Sequence, residues 1–492
     1  MHRLVLFVLF VLCAAPRITL GADVVRDSVV KIHSTLRTPD FNRLWSKANP
    51  KQVSGSGAII AGNRILTNAH VVLYASRVLV QANQSTERMP ATVEAIAPGM
   101  DLAVLKLDDE SFFEDRPTLE LTKDLPKIKN PVSAYGFPIG GEQLSVTEGI
   151  ISRVEYMPYK YNESGLRIQV DAALNPGNSG GPAIADGKIL GLVFSQSRNA
   201  DNIGYLIPAD EVQMFLDDVE DGKYDGKRKL FGHFQTVENV ALRQSLKLDA
   251  ATGGLMVTRP YGTDGTALLK ERDVITHIGE YALDNQGKIQ MGEELRLSFH
   301  YLVPKLTKNE KIGLTIFRDG KSMEIEVPSQ YRRDVLVPYL RGEYPPHFIC
   351  GPMLFTTASQ DLLTGLRGTG QLVLAMRENP LVTRRFDRMS FPGEQIVLLG
   401  PRMFTSPISE GYDSQTLGVV SQVNDVTIKN LTHLVETIRN AQGKFLSIKI
   451  AGNYETMVFD RQALIDSTEM ILEDEGIRYQ MSEEFRDVWG DN

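Results

Sequence analysis

The chain has 492 residues, of which 42% are hydrophobic and 23% are charged, and its formal net charge is -8. This length exceeds the roughly 250–300 residues at which a single core stops growing, so two to four domains are expected. The composition is that of a globular protein rather than a disordered one. Because the basic residues form no stripe, nothing in the sequence indicates a nucleic-acid partner.

The first 22 residues have the pattern of a secretory signal peptide. Met1-His2-Arg3 carries positive charge, an apolar run extends from Leu4 to Ala15, and the small residues Gly21-Ala22 follow. The apolar run has 12 residues, which is too short for a stable membrane span. An uncleaved anchor is the alternative, and the cut falls either after Ala22 or nearer to Ala15. The sequence therefore predicts a secreted protein.

Cysteine usage adds to this prediction. The chain contains two cysteines, and Cys13 lies inside the predicted leader, so the mature protein keeps only Cys350 and has no intramolecular disulfide. An exported protein without disulfides favours a bacterial envelope, that is, the periplasm. Cys350 has no adjacent His or Lys that would activate its thiol, so we predict a buried structural role for it.

Residues 23–220 are predicted to form an antiparallel all-β domain. Short runs rich in Val, Ile and Leu alternate with Gly, Pro, Asn and Asp, as in VVKIHS, GAIIAG, RILTNAHVV, DLAVLKL, PVSAYGF and KILGLVFS. Residues 209–221 are predicted to form one helix that closes the domain, and the charged stretch 221–229 is predicted to be a linker.

The remainder divides into two mixed α+β regions and a tail. Residues 230–330 combine strands such as DVITHIG and SMEIEVP with short helical stretches. Residues 335–460 repeat part of this pattern in VVSQVNDVTIKNLTHLVETIRNAQGKFLSIKIAG, which indicates a weak, diverged internal repeat. The charged tail 461–492 is predicted to be helical.

Three separated segments supply the parts that acyl transfer from a peptide needs: a nucleophile, a base held in one tautomer, and donors for an oxyanion. GNSGGP puts Ser179 in a Gly-rich turn, where the segment Gly177-Asn178-Ser179 is the predicted oxyanion hole, with the amides of Gly177 and Ser179 as donors. TNAHVV places His70 at the end of a strand, and Asp101 opens the buried strand DLAVLKL. Each residue alone also fits a purely structural role. The order His, Asp, Ser within one β domain is the chymotrypsin order, unlike that of the subtilisins or the α/β-hydrolases. It therefore disfavours an esterase of the α/β-hydrolase type.

These segments resemble the HtrA/Deg serine proteases. GSGAII, ILTNAHVV, DLAVLKL, VDAALNPGNSGGPAI and NIGYLIP carry the likeness over most of residues 53–210. The resemblance implies a mainly β protein with a chymotrypsin-like double β-barrel, whose catalytic triad is His70, Asp101 and Ser179. It also implies ATP-independent cleavage of unfolded or damaged proteins, and a homo-oligomer that is a trimer or a multiple of one.

The resemblance extends to peptide-binding domains. LFGHF and the rest of 230–330 are similar to the first PDZ domain of that family, in which Phe231, Gly232, His233 and Phe234 would capture a substrate C-terminus. Internal packing is the alternative role for any one of these residues. HFICGPMLF and GEQIVLLG, within 335–460, resemble the divergent second PDZ domain of plant-type Deg proteases; for this domain, packing or assembly is an alternative to peptide binding.

By the same analogy, Leu174 and the segment from Phe194 through Ser195 to Ile203 shape the primary specificity pocket. No Asp stands where a trypsin-like pocket would need one, so we expect an apolar residue before the scissile bond. The sequence contains no H-E-x-x-H motif, paired cysteines or histidine cluster, so neither a metal nor any other cofactor is expected.

Three rival functions remain open at this point. The chain could be a chaperone or scaffold that holds unfolded proteins with weak or conditional cleavage, since an intact triad does not exclude an inactive resting state. A pure adaptor is disfavoured by the presence of all three triad residues, and an esterase by the fold.

Overall fold

The computed structural model describes residues 21–196, 204–262, 268–366, 368–412, 417–452 and 456–490. Residues 1–20, which hold nearly all of the predicted signal peptide, lie outside these ranges. The first described element is helix α1, Gly21–Asp27. Within the described ranges, no helix is both long enough and apolar enough to cross a bilayer.

The first barrel is a closed sheet of six antiparallel strands in the order β1-β2-β3-β6-β5-β4. Alternating Val, Ile and Leu side chains turn inward from these strands, so that Ile32, Ile59, Ile65 and Leu105 are fully buried. One short helix, α2, interrupts the strands after β3. The bounds are β1 Val29–Leu36, β2 Lys51–Ile60, β3 Arg64–Thr67, α2 Ala69–Val72, β4 Ala75–Ala82, β5 Met89–Ala97 and β6 Leu102–Leu107.

The second barrel repeats this design with the strand order β10-β11-β12-β9-β8-β7. Helix α3 closes it through the buried Phe215, and it ends three residues before the end predicted from the sequence. Side chains from both barrels share one cluster, in which Leu66 and Leu102 of the first pack with Phe137 and Leu192 of the second. The bounds are β7 Pro131–Gly136, β8 Ser145–Pro158, β9 Ser164–Val170, β10 Pro182–Ala185, β11 Lys188–Gln196, β12 Gly204–Pro208 and α3 Ala209–Asp218.

The middle domain, residues 230–330, is built on a sheet in the order β13-β14-β15-β19-β20, with β16 paired to β15 and a separate β17-β18 ribbon. Strand β13 lies at the edge of the sheet. The bounds are β13 Gly232–Thr236, α4 Val240–Ser245, β14 Leu255–Pro260, β15 Val274–Ile278, β16 Tyr281–Ala282, β17 Lys288–Met291, β18 Leu295–Ser298, α5 Val303–Leu306, β19 Lys311–Arg318 and β20 Lys321–Pro328.

The C-terminal domain, residues 335–490, contains a three-stranded sheet β21-β22-β23 and a four-stranded sheet β25-β24-β26-β27. The tail belongs to its core, since Leu464, Met481 and Phe485 pack with Phe348 and Phe355. The bounds are β21 His347–Cys350, β22 Met353–Thr357, α6 Gln360–Gly365, α7 Gly368–Met376, α8 Pro380–Thr383, β23 Val397–Leu399, β24 Val420–Val423, β25 Val426–Thr427, α9 Leu431–Arg439, β26 Phe445–Ile450, β27 Thr456–Asp460, α10 Arg461–Asp474 and α11 Arg486–Trp489.

The predicted fold class is confirmed: the chain is mainly β, with two closed six-stranded barrels followed by α+β domains. One local prediction is wrong. The segment RILTNAHVV is not a continuous strand, because β3 ends at Thr67 and His70 lies in helix α2. The turn of helix places the His70 amide and imidazole on the same side, where one carboxylate reaches both.

Candidate active site

Asp101 holds His70 by two hydrogen bonds. The backbone amide of His70 donates to Oδ1 of Asp101 at 2.8 Å, and Nδ1 of the imidazole lies 2.7 Å from Oδ2. Asp101 is buried, whereas the imidazole is partly exposed. Because the carboxylate accepts from Nδ1–H, Nε2 is left as the basic nitrogen of the neutral ring. The pair is therefore arranged to accept a proton from the cleft.

The turn that presents Asp101 is strained. Asp101 has φ = 61°, in the left-handed region, which costs a non-glycine residue on the order of 1 kcal/mol unless the surroundings compensate. Its carbonyl accepts a hydrogen bond from the side-chain amide of Asn68 at 3.0 Å. The strand after the turn, β6, is buried at Leu102 through Leu105. Asp101 thus opens a buried strand, and the fold holds it in a conformation that its sequence alone would disfavour.

Ser179 comes from the second barrel and meets the first barrel at Gly55 and Ser56. The amide of Ser56 donates to the carbonyl of Ser179 at 2.9 Å. A Cβ on Gly55 would lie 2.7 and 2.8 Å from the methyl groups of Val71 and 3.3 Å from the carbonyl oxygen of Ser179. A side chain at position 55 would therefore contact both the helix that carries His70 and the chain at Ser179.

Among the described residues, the hydroxyl of Ser179 has the Phe194 carbonyl as its hydrogen-bond partner. Its Oγ donates to the carbonyl of Phe194 over 3.4 Å, a long contact for an O–H donor. Within the described residues, Ser179 makes no hydrogen bond to His70. Catalytic hydrogen bonds often shorten only when substrate binds, so a protease does not need the Ser179–His70 hydrogen bond in its free form.

Two backbone amides, those of Gly177 and Ser179, have no acceptor among the described residues and so offer donors for an anion. In the part of the chain that the structure describes, the amides of Gly177 and Ser179 donate no hydrogen bond, whereas the amide of Asn178 donates to Asn175 at 3.0 Å. Gly177 has φ = 102°, a conformation that favours glycine. The side chain of Asn178 is buried. Of the predicted oxyanion segment, Gly177 and Ser179 offer donors and Asn178 shapes the turn.

Ser56 is a site residue that sequence analysis missed. Its Oγ donates to the carbonyl of Gly177 at 2.8 Å and accepts from the amide of Phe137 at 2.8 Å, and its carbonyl accepts from Thr67 Oγ1 at 2.7 Å. This fully buried serine joins the first barrel to the oxyanion turn. In the sequence, a polar residue between two glycines gives no indication of these partners.

The predicted specificity pocket is only partly described. Leu174 is buried, and a Cβ on Gly204 would lie 2.3 Å from its Cδ1, so these two residues are in direct contact. The Phe194 ring lies 4.4 Å from the guanidinium of the buried Arg167, whose pKa is lowered by desolvation. The side chain of Ser195, and all of Ile203, fall outside the described residues.

The four predicted peptide-binding residues begin the middle domain. The ring of Phe231 packs against that of Tyr261, with 5.2 Å between the ring centroids. The ring of Phe234 packs against those of Phe299 and His300, each with a centroid distance of 5.9 Å. Gly232 begins the edge strand β13, and His233 is exposed.

A cavity of about 260 Å³ opens between this segment and the second barrel, lined among others by Phe231, Gly232, His300 and Tyr156. Burial lowers the pKa of His300 to about 4, so this residue is neutral near pH 7. The cavity brings aromatic side chains together with the charged residues Glu211, Lys227, Arg228 and Lys229 beside the start of β13.

Comparison with known proteins identifies two domains. The family model "Trypsin-like peptidase domain" matches residues 55–192, and the model "PDZ domain" matches residues 337–484. The PDZ match covers the C-terminal domain, which the sequence had marked as the more divergent of two PDZ-like regions.

Two relatives that align over most of this chain, and one solved structure, are also similar to it. Protease Do-like 2, chloroplastic, and Protease Do-like 4, mitochondrial, both of Arabidopsis thaliana, are each 32% identical to this chain; the alignments cover 94% of this chain and 76% and 86% of those proteins. A structure of the HtrA-type protease AlgW with a tripeptide is 25% identical, covering 63% of this chain and 95% of that one with a TM-score of 0.48.

Proposed function

The chain belongs to the Deg/HtrA family of serine proteases, and from this premise we propose that it cleaves unfolded or damaged proteins without ATP. Ser179 is the nucleophile, His70 is the general base, and Asp101 orients the base. The observation that carries this proposal is the His70–Asp101 pair, which is joined by two hydrogen bonds beside the Ser179 turn.

The proposed reaction follows from these positions. The Ser179 hydroxyl rotates from the Phe194 carbonyl to Nε2 of His70, gives up its proton there, and attacks the peptide carbonyl. The free amides of Gly177 and Ser179 receive the oxyanion, and such donors contribute about 10²–10³ in rate each. His70 returns the proton to the leaving amine, and water then hydrolyses the acyl-enzyme by the same route.

Substrate recognition is proposed at two places. The contact between the buried Leu174 and Gly204 supports an apolar preference in the primary pocket; cleavage chiefly after Lys or Arg would contradict it. The free edge of β13 supports capture of a peptide C-terminus by strand addition at Phe231 through Phe234.

The second candidate function is a chaperone or scaffold with conditional cleavage. This alternative requires that the Ser179 hydroxyl keep its contact with the Phe194 carbonyl after substrate has bound. The two functions share the same substrates and differ in whether the hydroxyl rotates once substrate is bound.

One experiment separates these functions. The mature protein and its Ser179→Ala variant are incubated without ATP with a permanently unfolded protein. We expect wild type alone to cleave and both to bind. Equal cleavage by Ser179→Ala would overturn the assigned nucleophile, and binding without cleavage by either protein would make the chaperone function the better one.

The cellular location and the oligomeric state of the protein are also proposals. The leader pattern supports export, whereas two of the named relatives are chloroplastic and mitochondrial proteins, so the bacterial periplasm is not favoured over an organelle. N-terminal sequencing of the mature protein and cell fractionation decide this point. Sedimentation of the purified protein tests the proposed trimer.

A further inference from the structure

Glu163 is a buried carboxylate shared by two segments that lie far apart in the chain. It sits in the turn between β8 and β9 and is 2% exposed. Its Oε2 lies 2.5 Å from Nζ of Lys229, just before the middle domain, and its Oε1 lies 3.5 Å from Nη1 of Arg341, just after that domain. A buried acid held by two cations is costly to assemble unless all three partners are in place.

The same side chain presses on the turn that carries Asp101. A Cβ on Gly99 would lie 2.3 Å from Cγ of Glu163, so the methylene chain of Glu163 lies directly on the Gly99 backbone, two residues before Asp101. Asn68 and His70 hold Asp101 itself by hydrogen bonds. Glu163 packs against the same strained turn at Gly99.

The segment that carries Arg341 is itself anchored on both barrels. Nη2 of Arg341 donates to the carbonyl of Tyr161 at 3.2 Å, and the Tyr74 hydroxyl donates to the carbonyl of Glu343 at 3.3 Å. Tyr74 follows His70 by four residues, and Tyr161 belongs to the turn of Glu163. This segment therefore bridges the two barrels on the side of His70 and Asp101.

We propose that Glu163 is a positioning residue for the protease reaction: held by Lys229 and Arg341, it supports the 98–101 turn and so keeps Asp101 on His70. The inference rests on the proposed function, since it presumes that Asp101 orients the base. When Lys229 and Arg341 both contact Glu163, the His70–Asp101 pair is held together; when either cation is withdrawn, Glu163 loses a counter-charge and the turn loses its support.

The test compares Glu163→Gln with Glu211→Gln in the full-length protein. Glu211 is a similarly buried acid in helix α3, which closes the same barrel. It pairs at 2.7 Å with Lys227, two residues before Lys229, but it lies against Gly165 instead of Gly99. The readouts are kcat and KM on a short peptide substrate, with active sites counted by a fluorophosphonate that labels Ser179, and the midpoint of thermal unfolding.

We expect kcat per labelled site to fall roughly 10- to 100-fold in Glu163→Gln, since about 1 Å of misplacement costs about 10²-fold, with little change in KM. Glu211→Gln is expected to lower the thermal midpoint similarly and to keep the wild-type kcat. Equal kcat values in the two variants would overturn the inference, whereas failure of the fluorophosphonate to label Ser179 in wild type would overturn the proposed function instead.

A second pair of variants covers the case in which Glu163→Gln does not fold. Gly99→Ala inserts a methyl group into the contact with Glu163 and leaves both ion pairs chemically intact, so it should reproduce the loss of kcat. In a Glu163→Ala background that methyl group has room, and adding Gly99→Ala should cost nothing further. Additive losses would show that the two residues do not act through one contact.

Discussion

Gly55→Ala tests whether the spacing between the two barrels determines the distance between His70 and Ser179. The new Cβ would lie 2.7 and 2.8 Å from the two methyl groups of Val71, about 1 Å closer than a relaxed carbon–carbon contact. Val71 is buried and β-branched, so it cannot rotate away at low cost. Either the helix of His70 or the chain at Ser179 must move.

The magnitude follows from that displacement. Overpacking of this kind costs about 1–3 kcal/mol of stability. A shift of about 1 Å between base and nucleophile costs about 10²-fold in kcat, which corresponds to nearly 3 kcal/mol of activation free energy. We therefore expect a folded protein with a kcat roughly two orders of magnitude below wild type.

Gly57→Ala is the matched control. Gly57 lies two residues along β2 on the same face, and its Cβ would be as crowded, 2.8 Å from Ile65 and 3.0 Å from Ile32, but in the barrel core. The effect of Gly-to-Ala on the unfolded chain is the same for both variants. If Gly55→Ala keeps the wild-type kcat per titrated site while losing as much stability as Gly57→Ala, the spacing argument is refuted.

Three further predictions concern buried polar groups. Ser56→Ala leaves the Gly177 carbonyl and the Phe137 amide unsatisfied, so unfolding free energy should drop by about 1–3 kcal/mol and kcat by tenfold or more, whereas Ser34→Ala, whose buried hydroxyl has no partner among the described residues, should be nearly neutral in both assays. Burial raises the pKa of Cys350 to about 12, so peptide mapping should find this thiol alkylated at pH 8 only after denaturation; native labelling would contradict its burial. Burial lowers the pKa of His347 to about 4, so its contribution to stability is present above pH 6.5 and is lost as the pH falls towards 4. The free energy of unfolding of the C-terminal domain in urea should therefore decrease by about 2 kcal/mol from pH 7 to pH 5. In His347→Asn this free energy should depend less on pH.

Much of the protease domain could be predicted from local sequence. Alternating Val, Ile and Leu bounded by turn residues specify strands wherever they occur, because a strand with one apolar face needs only a core to cover it. The segments around His70, Asp101 and Ser179 each carry their chemistry in adjacent residues. Their order indicated the family, and the full-length relatives confirm it.

Local pattern was insufficient where a residue's conformation depends on distant partners. His70 was expected on a strand, yet it lies in a helical turn whose amide and imidazole both meet Asp101, 31 positions away. Ser56 reads as a spacer between glycines until the carbonyl of Gly177 is placed against it. Neither partner is visible within the window of residues that determines local propensity.

The roles of the charged residues were decided by the tertiary structure. In the sequence, Glu163, Lys229 and Arg341 are ordinary surface-type residues separated by 66 and 112 positions. A charge reveals its role only when it is removed from water, because desolvation then demands a counter-charge at short range. The sequence by itself thus determined the barrels and indicated His70, Asp101 and Ser179 as the candidate triad, while long-range packing decided which charged residues are buried around it.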